Sequence, residues 1–136
     1  MLERLKFLHL SHSKYLSKTP DFSKLLNLEK LILKNCPSLY EVHHSIGNLS
    51  NLLLLNLKDC IFGYLPMIIY KLTSLQKLII SGCSKIDKLE EDIEQMESLT
   101  TLIADNTSLK QVPFSIVRSK NIGYISLCGY EGLAHD

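Results

Sequence analysis

The sequence predicts a repeat solenoid of the α/β class, with short parallel strands along one side and short helical or 3₁₀ segments along the other. Three observations predict it. Shifting the chain against itself by 23 or 24 residues aligns almost every leucine. Within each period the first, fourth and sixth positions are apolar, and the two-residue step places the last two on one face of a short strand. Later in each period apolar residues recur every third position, a spacing suited to one or two turns of α or 3₁₀ helix.

The periods begin at Leu5, Leu28, Leu52, Leu75, Leu99 and Ile122, at intervals of 23, 24, 23, 24 and 23 residues. Residues 1–136 therefore read as one domain of five full turns and a partial sixth. The predicted strand triplets are Leu5, Leu8, Leu10; Leu28, Leu31, Leu33; Leu52, Leu55, Leu57; Leu75, Leu78, Ile80; Leu99, Leu102, Ala104; and Ile122, Ile125, Leu127, with Ala104 undersized. The predicted outer segments carry Phe22, Leu25, Leu28; Ile46, Leu49, Leu52; Ile69, Leu72, Leu75; and Ile93, Met96, Leu99, and Ser119 breaks the set in the fifth turn. No single turn can bury its own apolar side, so stacking is what folds the chain.

The ninth position holds Ser13, Cys36, Cys60, Cys83, Thr107 and Tyr130, and an apolar residue follows at Leu16, Leu39, Phe62, Ile86, Leu109 and Leu133. After each strand the backbone must bend inward, leaving N–H and C=O groups that need partners away from water. A small side chain with a donor meets that need, so Ser13, Cys36, Cys60, Cys83 and Thr107 are expected to form a structural ladder. The Tyr130 ring is too bulky for such a bend, and the last turn is expected to be distorted or unfinished.

Other chemistry for the thiols fits less well. Cys36 with His43 or His44 could make an activated nucleophile, but equivalent cysteines one repeat apart point to the inside of a stack, where thiols are unreactive. Zinc needs ligands converging from several directions, and thiols in a row do not converge. Neighbouring strands are close enough for a disulfide. The lack of an export signal in "MLERLKFLHL" favours reduced thiols instead.

Composition narrows the function classes. With 46% hydrophobic and 21% charged residues the chain is of globular balance, and a formal net charge of +1 implies no general attraction to nucleic acid or to an anionic membrane. Glu90, Glu91, Asp92, Glu94 and Glu97 flank Ile93 and Met96 and read as a solvated outer face. No phosphate-binding loop occurs, and no metal site, cofactor or small-molecule ligand is predicted. The sequons at Asn48 and Asn106 would matter only in a secreted protein.

The inner sheet of a solenoid presents its outward strand positions as one extended surface. Here those are the second, third and fifth positions of each turn. The candidate protein-binding residues are Phe7, His9, Lys30, Ile32, Leu54, Asn56, Lys77, Ile79, Thr101, Ile103 and Tyr124. Ile32, Ile79 and Ile103 are expected to be exposed and, with the aromatic residues, to make an apolar stripe of the kind that marks a protein contact.

The repeat matches the L-x-x-L-x-L-x-x-[N/C]-x-L signature of leucine-rich repeats. More specifically, "L-x-x-T-P-D-F-S-x-L-x-N-L-E-x-L-x-L-x-x-C" at residues 16–36, "H-x-S-I-G-N-L" at 43–49 and the closing "LCGYEGLAHD" resemble the leucine-rich repeat region of plant intracellular immune receptors of the TIR, nucleotide-binding, leucine-rich-repeat class. The resemblance implies a cytoplasmic or nucleocytoplasmic, non-enzymatic segment of a larger receptor. Its implied role is defence signalling through contact with a pathogen effector, a host guardee or the receptor's own nucleotide-binding domain. NAD cleavage by the TIR domain and ADP or ATP binding by the switch belong, by the same resemblance, to domains this sequence does not contain. Only Cys36, Cys60 and Cys83 match family motif positions, with a structural role. Two alternatives are a free-standing cytosolic adaptor and part of an enzyme whose NAD hydrolase domain lies outside the chain. Neither end carries a recognisable polar capping turn, so exposed core is expected there.

Overall fold

The computed structural model describes residues 3–129; Tyr130 and Leu133 lie outside them. Six three-residue strands, β1 (Phe7–His9), β2 (Lys30–Ile32), β3 (Leu54–Asn56), β4 (Lys77–Ile79), β5 (Thr101–Ile103) and β6 (Tyr124–Ser126), form one parallel sheet in sequence order. Each strand occupies the third to fifth positions of its turn. The register is continuous, running Leu8, Leu31, Leu55, Leu78, Leu102 and Ile125 along the inward row.

The opposite side is built from 3₁₀ segments at His44–Asn48, Met67–Lys71 and Glu91–Gln95 and a four-residue α-helix, α1, at Phe114–Val117. The three-residue spacing seen in the sequence has a direct cause. Leu49 donates to the Ile46 carbonyl and Leu52 to that of Leu49, and the same i to i+3 bonds join Ile69, Leu72 and Leu75, and Ile93, Met96 and Leu99. A ladder with three residues per turn turns every third side chain inward. The first turn makes the same bonds through Phe22, Leu25 and Leu28 without a full helical segment.

Between the two sides lies one continuous core. Leu31, Leu55 and Leu78 of the sheet and Phe22, Ile46 and Ile69 of the outer segments are fully buried, and each such side chain contributes about 1.5–3 kcal/mol relative to exposure. Ala104 is buried too, so its small size costs packing volume and not position. Leu5, Leu8, Leu10 and Leu16 in the first turn, and Ile122, Ile125 and Leu127 in the sixth, are only partly covered. Every buried polar side-chain atom among the described residues has a hydrogen-bond partner.

Candidate protein-binding face

Two rows of side chains stand on the side of the sheet opposite the core. One runs Phe7, Lys30, Leu54, Lys77, Thr101, Tyr124 and the other His9, Ile32, Asn56, Ile79, Ile103, Ser126, each residue in register with the next. All eleven candidate residues therefore share one face. Phe7 and Tyr124 are 51% and 56% exposed at its two ends, and the Phe7 ring stacks on His9 with centroids 6.0 Å apart.

The expected exposure of the isoleucines needs correcting. Ile32, Ile79 and Ile103 are half-buried, because side chains on strands about 4.8 Å apart cover one another's flanks. Ser126 is buried, and its hydroxyl donates to the Asp105 carboxylate at 2.6 Å, so the second row closes on a polar contact and not on an open position.

Behind the face, the ninth-position side chains fill the bend. The thiol of Cys36 donates to the carbonyl of Leu10 at 3.2 Å, that of Cys60 to Leu33 at 3.2 Å and that of Cys83 to Leu57 at 3.1 Å, each reaching one turn back. Ser13 and Thr107 instead donate to Leu10 and Ala104 of their own turns, at 2.7 and 2.9 Å. Burial pushes the Cys60 thiol up to about 12 and that of Cys83 up to about 11, with the neighbouring Cys83 thiol adding to the rise at Cys60 and the Asp59 carboxylate to that at Cys83. A thiol held protonated in this way donates a hydrogen bond and is a poor nucleophile. His43, one of the two bases a catalytic reading could use, is engaged elsewhere: its Nδ1 lies 2.8 Å from the Ser45 hydroxyl and accepts from the Ser45 N–H at 3.1 Å.

The two motifs that carry the family resemblance bond to each other. The Phe22 N–H donates to the Ser45 hydroxyl and the His43 N–H donates to the Thr19 hydroxyl, both at 2.7 Å. Thr19 and Ser45 are buried, so the "TPDFS" and "HHSIG" stretches fasten the first turn to the second.

Sequence reasoning missed two further sets of positions. The eighth residue of every turn has left-handed backbone: His12, Asn35, Asp59, Gly82, Asn106 and Gly129, with φ between 52° and 80°. The signal was present, since these are residue types that tolerate this region. The seventh residue sits in the turn just past each strand: Asp105 there accepts from Ser126 of the outward row, which puts this position at the edge of the same face, where Lys34 is partly buried and Lys58 exposed, whereas Ser81 is buried.

A stack of parallel strands and short outer segments, repeating every 23 or 24 residues around a leucine spine, is a leucine-rich repeat solenoid. A leucine-rich repeat protein of Leptospira interrogans superimposes with a TM-score of 0.83 at 30% identity, covering 93% of this chain and 32% of that one. The plant peptide hormone receptor RGFR1, solved in complex with RGF2, superimposes with a TM-score of 0.63 at 28% identity, covering 93% of this chain and 25% of that one. In sequence the chain is similar to plant disease resistance proteins of the TIR, nucleotide-binding, leucine-rich-repeat type. TMV resistance protein N of Nicotiana glutinosa is 48% identical over 59 residues, 43% of this chain. The chain spans only 3 to 5% of the length of such relatives. No family model matches it.

Proposed function

We propose that the chain is a protein-recognition segment of a plant disease resistance receptor, sensing an effector or contacting the receptor's nucleotide-binding domain through its concave sheet. The observation that carries this reading is the in-register row of Ile32, Asn56, Ile79 and Ile103, half-open and continuous over four strands, beside Leu54 and Tyr124. Partly exposed apolar surface of this extent is available for a partner to cover. The likeness to resistance proteins supports the biological setting, and the peptide-bound receptor of similar fold supports a polypeptide as partner.

The test is a binding assay against an isolated nucleotide-binding domain of the resistance-protein type and against matched effector candidates. Ile32→Glu combined with Ile79→Glu is expected to lower affinity by at least about tenfold, with an unchanged circular dichroism spectrum. Undiminished binding removes the concave face from consideration. The isolated chain is expected to leave NAD intact; turnover that disappears in Cys36→Ala would make the enzyme reading the better one.

A further inference from the structure

The charge on this face is not spread evenly. Lys30 and Lys77 stand on the first row at either side of Leu54, two strands and so about 10 Å apart. Lys34 and Lys58 stand at the seventh positions of the second and third turns, with the Asn35 N–H bonded to the Lys58 carbonyl to hold the two turns in step. These four lysines frame Ile32, Leu54 and Ile79. None of them is in an ion pair among the described residues, and the nearby Glu29 carboxylate is turned to Lys6 at 3.7 Å. Strands β5 and β6 carry no lysine, and the seventh position of the fifth turn is Asp105.

Beside these four lysines stand two carboxylates, Glu29 next to Lys30 and the exposed Asp59 next to Lys58, so the patch keeps an excess of positive charge on a chain whose formal net charge is only +1. Glu90, Glu91, Asp92, Glu94 and Glu97 lie in and beside the outer 3₁₀ segment, on the far side of the turn from the sheet. A local excess of this sign attracts an anionic partner while the whole molecule stays near neutral.

We propose that the face over β2–β4 takes an acidic polypeptide segment with interspersed apolar residues. Its carboxylates meet Lys30, Lys34, Lys58 and Lys77, and its apolar side chains cover Ile32, Leu54 and Ile79. The apolar continuation over Ile103 and Tyr124 lets the same segment run on across β5 and β6 without further charge. This names the partner's chemistry and rests on the protein-binding reading above.

The probe is a fluorescent peptide of about eight residues alternating glutamate and leucine, long enough when extended to cross six strands spaced about 4.8 Å apart. Companion peptides replace glutamate with glutamine or with lysine. The glutamate peptide is expected to bind the chain at least about tenfold more tightly than either companion, and the difference is expected to shrink as salt is raised. Replacing all four lysines (Lys30→Gln, Lys34→Gln, Lys58→Gln, Lys77→Gln) is expected to bring the glutamate peptide down to the glutamine level, with the fold checked by circular dichroism. Ile32→Glu with Ile79→Glu is expected to abolish binding of the glutamate and glutamine peptides.

No preference for the glutamate peptide, or an unchanged preference after the lysine replacements, overturns the inference. If the isoleucine pair still abolishes binding in that case, the protein-binding face survives without its acidic partner. If neither set of variants matters, the face itself is wrong. Equal or tighter binding to a single-stranded oligonucleotide or to phosphatidylserine-containing vesicles assigns the lysines to another class of partner and also overturns it.

Discussion

In the middle of the solenoid, Cys36, Cys60 and Cys83 tie each turn to the one before it, whereas Ser13 and Thr107 at the flanks close only their own bends. The carbonyl of Leu57 shows the consequence, accepting both from the Cys60 N–H of its own turn and from the Cys83 thiol of the next. Core burial separates the two ends from the rest: Leu31, Leu55, Leu78 and Leu102 are covered, while Leu8 at the first strand and Ile125 at the sixth are only partly so. A turn in the middle is stabilised from both sides; one at the edge depends on a single neighbour.

The largest effect that tests this contrast is a truncation at the spine. Leu55→Ala removes a side chain with neighbours above and below and is expected to cost about 2–5 kcal/mol, whereas Leu8→Ala, at a site already partly exposed, should cost about half of that or less. Chemical denaturation followed by circular dichroism measures both. Equal costs would mean that the ends are packed as firmly as the centre.

How much of this was legible beforehand depends on whether a feature belongs to one turn or to two. The strand positions, the inward leucines and the three-residue spacing of the outer side are intraturn patterns, and they can be read from residues such as Leu28, Leu31 and Leu33 without knowing what lies next door. The bonds from Phe22 to Ser45 and from His43 to Thr19 join residues 23 and 24 positions apart, and their partners become defined only once the turns are stacked. The half-burial of Ile32 and Ile79 is likewise a property of the row and not of the residue. The left-handed eighth position was written in the sequence, but as His, Asn, Asp or Gly in different turns, so that no single letter repeated.

The thiols provide the next sharpest comparison. Cys60→Ser is expected to cost about 1–2 kcal/mol, because a hydroxyl has a shorter reach and, as at Ser13 and Thr107, turns to its own bend, leaving the Leu33 carbonyl without its donor from the next turn. Thr107→Cys should run the other way, offering the Ile80 carbonyl a cross-turn donor and raising the denaturation midpoint slightly. The same thiols set an alkaline limit. Their values are raised on folding, so the stability they confer is complete below the ordinary thiol value of 9.0 and is lost as pH climbs through about 11 for Cys83 and about 12 for Cys60. A thiol reagent at neutral pH should label the exposed Cys128 first and Cys36, Cys60 and Cys83 only on unfolding. Fast labelling of all four would break the contrast between buried ladder and open edge.

The smallest expected effect concerns an edge that a carboxylate reinforces. Glu91 was read as part of a solvated acidic face, yet its two oxygens accept from the N–H groups of Phe114 at 3.1 Å and Ser115 at 2.7 Å, at the start of α1, and the Ser115 hydroxyl donates back to the Glu91 carbonyl at 3.1 Å. These are the N–H groups that a helical start leaves without intrahelical partners. The Ser115 N–H, first among the causes, holds the Glu91 carboxyl below its ordinary value of 4.5. A lowered carboxylate value confers stability that is present above pH 4.5 and fades as pH falls through the lowered value. Glu91→Gln keeps one acceptor and loses the charge, so it should lower the denaturation midpoint slightly at pH 7 and by less at pH 3. The effect should be local, seen as faster amide exchange at Phe114 and Ser115 while the strands from β2 to β4 stay protected. Equal losses at both pH values would show that side-chain shape, and not charge, fastens the fifth turn to the fourth.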